Sequence, residues 1–313
     1  MMGLGAAPLG GLYKVSSQAD AVETIGAALA AGINFVDIAP HYGQGLAERR
    51  VGGSLEALAA GELVLSTKVG RLLEPGGAAP SAPNWPEALP YSTVYDTTPD
   101  GIRRSLRDSI ERLGGRAPSM LLLHDPDRYA DAAGLPALIR QAYETLSALR
   151  EAGVVTAIGV GVNAPEPCRM ALDIGDWDCF LLAGSYSVLR QEDEGLLDAC
   201  RKRRTSVLIG GPYMSGALAG GSTWRYRAIP AAVAADIARL EGLCGRYGVP
   251  MQAVALQFPL RHPAVASVIV GMRSAAEVAQ NIGFLHASVP VELWDELAAE
   301  GFIPADLPRG AGH

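Results

Sequence analysis

Four side chains far apart in the sequence share one local context. Asp37, Tyr42, Lys68 and His124 each stand at or just beyond the end of an apolar run, at 33–36, 63–66 and 120–123. Where parallel strands close into a barrel, their carboxyl ends meet at one face, and that face carries the chemistry. An acid, a phenol, an ammonium and an imidazole gathered there suit proton transfer at a carbonyl or alcohol carbon: a phenol exchanges the proton, a cation lowers its pKa, and a carboxylate holds the cation. Singly, each has an ordinary reading. Asp37 suits a helix cap or turn, Tyr42 a packed loop, and His124 a hydrogen-bonded structural histidine. Lys68 is different, because an ammonium at the end of a buried strand is costly without a partner.

The elements that position these residues alternate in type. Helical periodicity over 18–31, with Ser17 as cap and Gly32 as stop, precedes the run at 33–37. Helices over 46–58, 99–113 and 135–152 lead to strands at 63–67, 120–124 and 154–160. Shorter strands follow at 180–183, 207–209 and 267–270, with helices between and after them, and Gly3-Leu4-Gly5 reads as the first strand. Near-continuous apolar strands separated by amphipathic helices imply a parallel sheet. Eight such units imply an α/β fold of the single (β/α)8 TIM barrel class, with active-site loops at the C-terminal face; a doubly wound sheet would carry a GxGxxG turn after its first strand. The whole chain, 1–313, reads as one domain. Its tail, 286–313, is expected to form a short helix near 290–301 packed by the barrel mouth. Two loops are long. One, 74–98, carries Trp85, Tyr91 and Tyr95; the other, 213–229, carries Trp224 and Tyr226. Long loops at a barrel's active face are usually lids or pocket walls.

Composition narrows the function. The chain is 49% hydrophobic and carries a net charge of −7, with basic residues spread out apart from 201–204, which end a helix; this argues against a nucleic-acid partner. No apolar stretch is long enough to span a membrane, and no signal-peptide pattern opens the chain. Cys168, Cys179, Cys200 and Cys244 are isolated, which suits reduced thiols and a cytoplasmic location. Oligomeric state is not set by the sequence, and a homo-oligomer is compatible with it.

Several motifs together resemble the aldo-keto reductase superfamily. They are Phe35-Val36-Asp37-Ile38-Ala39-Pro40-His41-Tyr42-Gly43 followed by Glu48-Arg49-Arg50-Val51-Gly52, then Ser66-Thr67-Lys68, Leu122-Leu123-His124, and Val270-Gly271-Met272-Arg273-Ser274 with Asn281. Within it, Gly159-Val160-Gly161-Val162-Asn163, Leu182-Ala183-Gly184-Ser185-Tyr186 and Ile209-Gly210-Gly211-Pro212 look most like the branch of L-fucose and D-threo-aldose 1-dehydrogenases and pyridoxal 4-dehydrogenases. The resemblance implies an NAD(P)-dependent oxidoreductase. Tyr42 would be the general acid/base, Lys68 would lower its pKa, Asp37 would hold Lys68, and His124 would bond the substrate oxygen. The dinucleotide would lie across the mouth, near Gly11 and Leu12, with its pyrophosphate at Ser215, Gly216 and Leu218. Its adenosine would meet Gly271, Arg273, Glu277, Gln280 and Asn281. Arg273 favours the 2′-phosphate of NADP and Glu277, one turn on, opposes it, so NAD is expected.

The sequence also departs from the superfamily's pattern. Gly161-Val162 and Ala183 stand where a Ser-Asn pair and a Gln usually hold the carboxamide, leaving Asn163 as its shifted replacement. Gly210 stands where a tyrosine usually stacks on the nicotinamide, with Tyr213 as the nearest substitute. The short hairpin that usually precedes the first strand and covers the barrel floor is not evident. For the substrate, Tyr13, Trp85, Tyr91, Tyr213, Trp224 and Tyr226 offer an aromatic wall, and His41 and Asp125 polar contacts to ring hydroxyls. Arg225 and Arg227 read as solvated, so an uncharged small molecule is favoured. The expected reaction is oxidation of a free aldose, L-fucose-like or D-arabinose-like, at C1 to the lactone; oxidation of pyridoxal at its hemiacetal carbon and general aldehyde reduction are the alternatives. Two other classes remain: a nucleotide-sensing regulatory subunit resembling potassium-channel beta subunits, and a metal-dependent hydrolase using His41, His124 and Asp125. The second would want a His-x-His pair after the first strand, which 3–12 lacks, so no metal is expected.

Overall fold

Eight parallel strands close into a barrel in the computed structural model, which describes residues 1–61, 63–76, 84–192, 194–305 and 307. The strands are β1 (Met2–Gly5), β2 (Phe35–Asp37), β3 (Val64–Val69), β4 (Met120–His124), β5 (Ala157–Val162), β6 (Cys179–Ala183), β7 (Ser206–Gly210) and β8 (Val265–Gly271). Each pairs with its neighbours in sequence order, and β1 with β8 closes the ring. The outer layer comprises α1 (Gln18–Ala30), α2 (Leu46–Ala57), α3 (Pro99–Arg112), α4 (Leu135–Glu151), α5 (Glu166–Ile174), α6 (Glu194–Arg203), α7 (Ala231–Arg246), α8 (Met251–Leu260) and α9 (Ala275–His286). Phe35, Leu122, Cys179, Leu181, Leu208 and Ile269 fill the barrel interior. Gly159 leaves room there: a Cβ on it would lie 2.2 Å from the Cys179 carbonyl.

Local chemistry explains the boundaries. Ser17 and Asp20 form a reciprocal capping box on α1, and Gly32 turns left-handed (φ +81°) to release the chain towards β2. Ile33 is not yet strand, because its N–H is taken by the Ala28 carbonyl. The fifth strand is displaced from the expected 154–160 to Ala157–Val162. The Val154 N–H caps α4 by donating to the Leu149 carbonyl, so pairing begins only where Ala157 meets Met120.

The long segment after β3 is not simply a loop. Arg71–Pro75 and Tyr91–Tyr95 form an antiparallel hairpin; part of its connection, 77–83, lies outside the described residues. The segment after β7 carries a 3-10 turn, Ala217–Ala219, and a two-residue ladder between Thr223–Trp224 and Arg227–Ala228. Beyond α9, α10 (Val291–Ala299) packs on α7, with Glu296 meeting Arg246 and Tyr247 and the Arg261 guanidinium 4.4 Å from the Trp294 ring centroid.

Candidate active site

Strand register brings three of the four chemical side chains together. Asp37 ends β2 opposite Ser66 of β3, and Lys68 follows two residues on, on the same side of its strand. The Lys68 ammonium is 2% exposed. It donates to both Asp37 oxygens (3.0 and 2.8 Å), to the Ile38 carbonyl (2.9 Å) and to the Tyr42 hydroxyl (3.1 Å). The Ser66 hydroxyl donates to Asp37 Oδ1 at 2.5 Å. A buried ammonium is tolerable only with such a complete set of acceptors. Tyr42 arrives on a turn that requires Gly43, whose φ is +62° and whose added Cβ would lie 2.2 Å from the Gly10 carbonyl. The phenol is held well above its ordinary pKa, first by burial and then by the Asp37 and Asp125 charges, with Arg71 opposing. The net shift is upward even with the Lys68 ammonium 3.1 Å from the hydroxyl. Desolvation and the Asp37 carboxylate, which Lys68 itself fixes in place, outweigh the cation.

His124 forms the other flank. Its ring stands edge-on to Tyr42 with centroids 6.4 Å apart, and Nδ1 is buried without a partner. Burial, then Arg71 and Lys68, push its pKa well below the usual histidine value, so it is an uncharged imidazole. His41, 6.1 Å from His124, is pushed down to about 4, again by burial first and Arg71 second. Trp85 stacks on Tyr42 at 6.0 Å with 16° between planes, and it meets His41 edge-on. Asp125 is buried, and its carboxylate pairs with the buried Arg71 guanidinium. Asn163 Nδ2 donates to Asp125 Oδ1 at 3.2 Å, so Asn163 is committed to a protein carboxylate while still lining the cleft. Among the described residues no group of three or more His, Cys, Asp or Glu converges to hold a metal, and no helix is long and apolar enough to cross a membrane.

From Tyr42 a cleft of about 1100 Å³ runs across the strand ends to α9. Leu12, Tyr13, Asn163, Tyr213, Ser215, Gly216, Trp224, Gly271, Arg273, Glu277, Gln280 and Asn281 all line it. Others expected there do not. Leu218 is fully buried in the core, and its N–H goes to the Tyr213 carbonyl. Gly11 turns away at φ +89°, facing Glu87. Tyr91 bonds Arg49 on the exposed hairpin. Among the described residues, none of the cleft's lining side chains comes from α10.

The shape fits a dinucleotide. Ala183, Gly184, Gly210, Gly211 and Gly271 present backbone rather than side chains along the floor, and a Cβ on Gly271 would press Pro8 at 3.0 Å. At the far end Arg273 Nη1 is buried without a partner. Its backbone N–H donates to Glu277 Oε2 (2.9 Å), and Ser274 caps α9 by accepting from the Glu277 N–H. Tyr213 donates to Asn281 Oδ1 at 2.5 Å, placing its phenol at α9, away from Tyr42. Sequence reasoning missed Arg71, whose only signal was an arginine three residues after Lys68, and the lining residues Arg128, Arg190, Gln252 and Phe284.

Fold and site together define a barrel oxidoreductase. The family profile described as the aldo/keto reductase family matches residues 1–299. The chain is 40% identical to pyridoxal 4-dehydrogenase of Microbacterium luteolum, over 96% of this chain and 94% of that protein. It is 35% identical to D-threo-aldose 1-dehydrogenase of a Pseudomonas species, over 97% and 94%. Among solved structures, the holo form of an aldo-keto reductase from Bacillus halodurans superposes with a TM-score of 0.75 at 22% identity, covering 95% of this chain and 91% of that one. The chain belongs to the aldo/keto reductase family, and it is an NAD(P)-dependent oxidoreductase.

Proposed function

We propose that this protein oxidises the hemiacetal carbon of a small, uncharged, ring-closed substrate to the lactone, with NAD as the preferred hydride acceptor. The observation that carries this reading is the buried Lys68–Asp37 pair with the Tyr42 hydroxyl 3.1 Å from the ammonium, at the base of a cleft long enough for a dinucleotide. The cofactor supplies the hydride chemistry, and the protein supplies placement and electrostatics. In the oxidative direction the substrate hydroxyl gives its proton to Tyr42 Oη as the hydride leaves the same carbon. A phenol held above its ordinary pKa must first release its own proton, so oxidation is favoured by alkali; in reduction the phenol donates the proton that it already carries. His124, uncharged, offers the substrate oxygen a hydrogen bond without adding a competing charge. Leu12, Ser215, Gly216, Gly271, Arg273, Gln280 and Asn281 would hold the dinucleotide. Glu277, engaged with Arg273, would disfavour a 2′-phosphate.

Both named relatives suit this reaction, since pyridoxal and a free aldose each present a hemiacetal carbon in their closed forms. Tyr13, Trp85 and Trp224 provide flat apolar faces that pack on either ring. A free aldose, L-fucose-like or D-arabinose-like, is the first substrate to test, with pyridoxal beside it. The experiment is a panel of aldoses, pyridoxal and simple aldehydes with NAD and NADP, followed by absorbance of the reduced cofactor. Lactone formation from at least one closed hemiacetal is expected. Activity confined to open aldehydes in the reductive direction would overturn the reading, and a kcat/KM for pyridoxal far above every sugar would replace the aldose.

A further inference from the structure

Two buried ion pairs, not one, bracket Tyr42 and His124. Lys68–Asp37 lies on the tyrosine side. Arg71–Asp125 lies on the histidine side, with side chains 4% and 8% exposed. Gly70 makes the second pair possible. Its φ of +96° turns the chain out of β3, and an added Cβ would meet the Tyr129 hydroxyl at 2.6 Å. Lys68 and Arg71 therefore both reach the site from one short stretch. The guanidinium sits 5.7 Å from the Tyr95 ring, which stacks on Tyr129 at 4.5 Å; Tyr129 in turn donates to the His124 carbonyl at 3.2 Å. Asp125 is held in a left-handed conformation, φ +41°, which costs a non-glycine residue free energy and persists only where the surroundings over-determine it. Its N–H donates to the Gly161 carbonyl at 2.9 Å, and Asn163 fixes Oδ1. The remaining oxygen, Oδ2, accepts from Arg71 and lies 3.9 Å from His124 Nε2.

That geometry sets up a competition. A buried carboxylate in ion-pairing range of an imidazole would ordinarily draw a proton onto the ring. Here the carboxylate is already occupied. We propose that Arg71 is a positioning residue of this site: by engaging Asp125 Oδ2 it denies that carboxylate to His124, and so keeps the imidazole uncharged and oriented to receive a substrate oxygen. The inference rests on the proposed role of His124 in the reaction. The charged and titratable groups around His124 are Lys68 from β3, Arg71 and Tyr95 from the hairpin, His41 and Tyr42 from the turn after β2, and Asp125, Arg128 and Tyr129 from its own following turn. Of these, Asp125 is the carboxylate in ion-pairing range of the ring.

The test is an imidazole titration by NMR on the full-length protein, without substrate, in wild type, Arg71→Met, Arg71→Gln and the double variant Arg71→Met/Asp125→Asn. In wild type both His41 and His124 are expected uncharged at neutral pH, with the His124 titration below the ordinary histidine range. In Arg71→Met or Arg71→Gln the His124 titration moves up by about one pH unit or more, and the double variant returns it to the wild-type side. With substrate, kcat/KM of the single variants acquires an acid limb, falling about tenfold per pH unit below the new pKa, while NADH affinity stays within about twofold. A wild-type His124 that titrates above pH 6, single variants with an unmoved titration, or a double variant that fails to reverse the shift would each overturn the inference. The titration needs no turnover, so a failure of the hemiacetal reading in the substrate panel leaves this measurement intact.

Discussion

At the residue scale, the proposed chemistry hangs on one hydroxyl and the charges that frame it. Tyr42→Phe keeps the ring that stacks on Trp85 and removes only the exchangeable proton. Turnover should fall by about 10²- to 10⁴-fold, the usual contribution of a general acid/base, with NADH binding nearly unchanged by fluorescence titration; activity within a few-fold of wild type would remove Tyr42 from its role. Because the phenol sits well above its ordinary pKa, the rate of oxidation should climb from pH 7 to 10 without levelling off, and reduction should stay flat over the same range. Lys68→Met leaves the Asp37 carboxylate facing the phenol uncompensated. The alkaline rise should then move to still higher pH as the rate drops, and an unshifted profile would break the coupling between the two groups. At the other end of the cleft, Glu277→Arg should strengthen NADP binding by removing the carboxylate that now accepts from the Arg273 N–H. A wild-type preference of about tenfold or more for NADP would mean that Arg273 prevails over Glu277.

At the element scale, the site depends on what happens immediately after each strand. The turn that carries Tyr42 is closed by Gly43, which accepts the Leu89 N–H, and by the Tyr42 carbonyl, which accepts the Ala47 N–H. Gly43→Ala would add a left-handed penalty of about 1–2 kcal/mol to a collision with the Gly10 backbone. Both thermal stability and kcat should suffer, and a variant that melts with wild type would show that the turn can relax around the methyl. A helix away from the cleft behaves differently. Ser17 caps α1, which is distant from the cleft, so Ser17→Ala should cost about 1 kcal/mol in denaturation while leaving kcat/KM alone. The hairpin Arg71–Pro75 with Tyr91–Tyr95 shows how an element can be hidden. Its first strand begins two residues after Val69 ends β3, and its partner strand is mostly exposed, so neither a clean break nor an alternating pattern marks it in sequence.

At the scale of the whole molecule, closing the barrel creates a low-dielectric site whose histidines resist protonation. His41 holds its charge off until about pH 4, and His124 is likewise shifted down. The unfolded chain takes up these protons from about 6.5 downwards. As the pH falls through that window the unfolded state binds more protons than the folded one, and stability declines until the folded-state values are reached. Above about 6.5 this source contributes no pH dependence. Asp125, raised by burial, works in the opposite sense, but it is one group against two. The unfolding midpoint should therefore drop between pH 6.5 and 4; a midpoint flat over that range would mean that the two rings are hydrated and titrate normally.

Residue type and local period were enough to find eight strands, the strand ends and the quartet Asp37, Tyr42, Lys68 and His124, because apolar runs and the residues just beyond them are properties of contiguous sequence. The same holds for the cap at Ser17 and the stop at Gly32. Which charges meet was decided by tertiary structure alone. Arg71 and Asp125 are 54 positions apart, and Tyr213 and Asn281 are 68 apart; nothing in either segment names its partner. The direction of the Tyr42 shift belongs here too. The sequence supplies a cation near the phenol, but the sign depends on how deeply the hydroxyl is buried and how near Asp37 comes, and only the closed barrel fixes both. Local pattern records what a side chain is, whereas desolvation and pairing depend on distances that exist only after distant strands have been brought side by side.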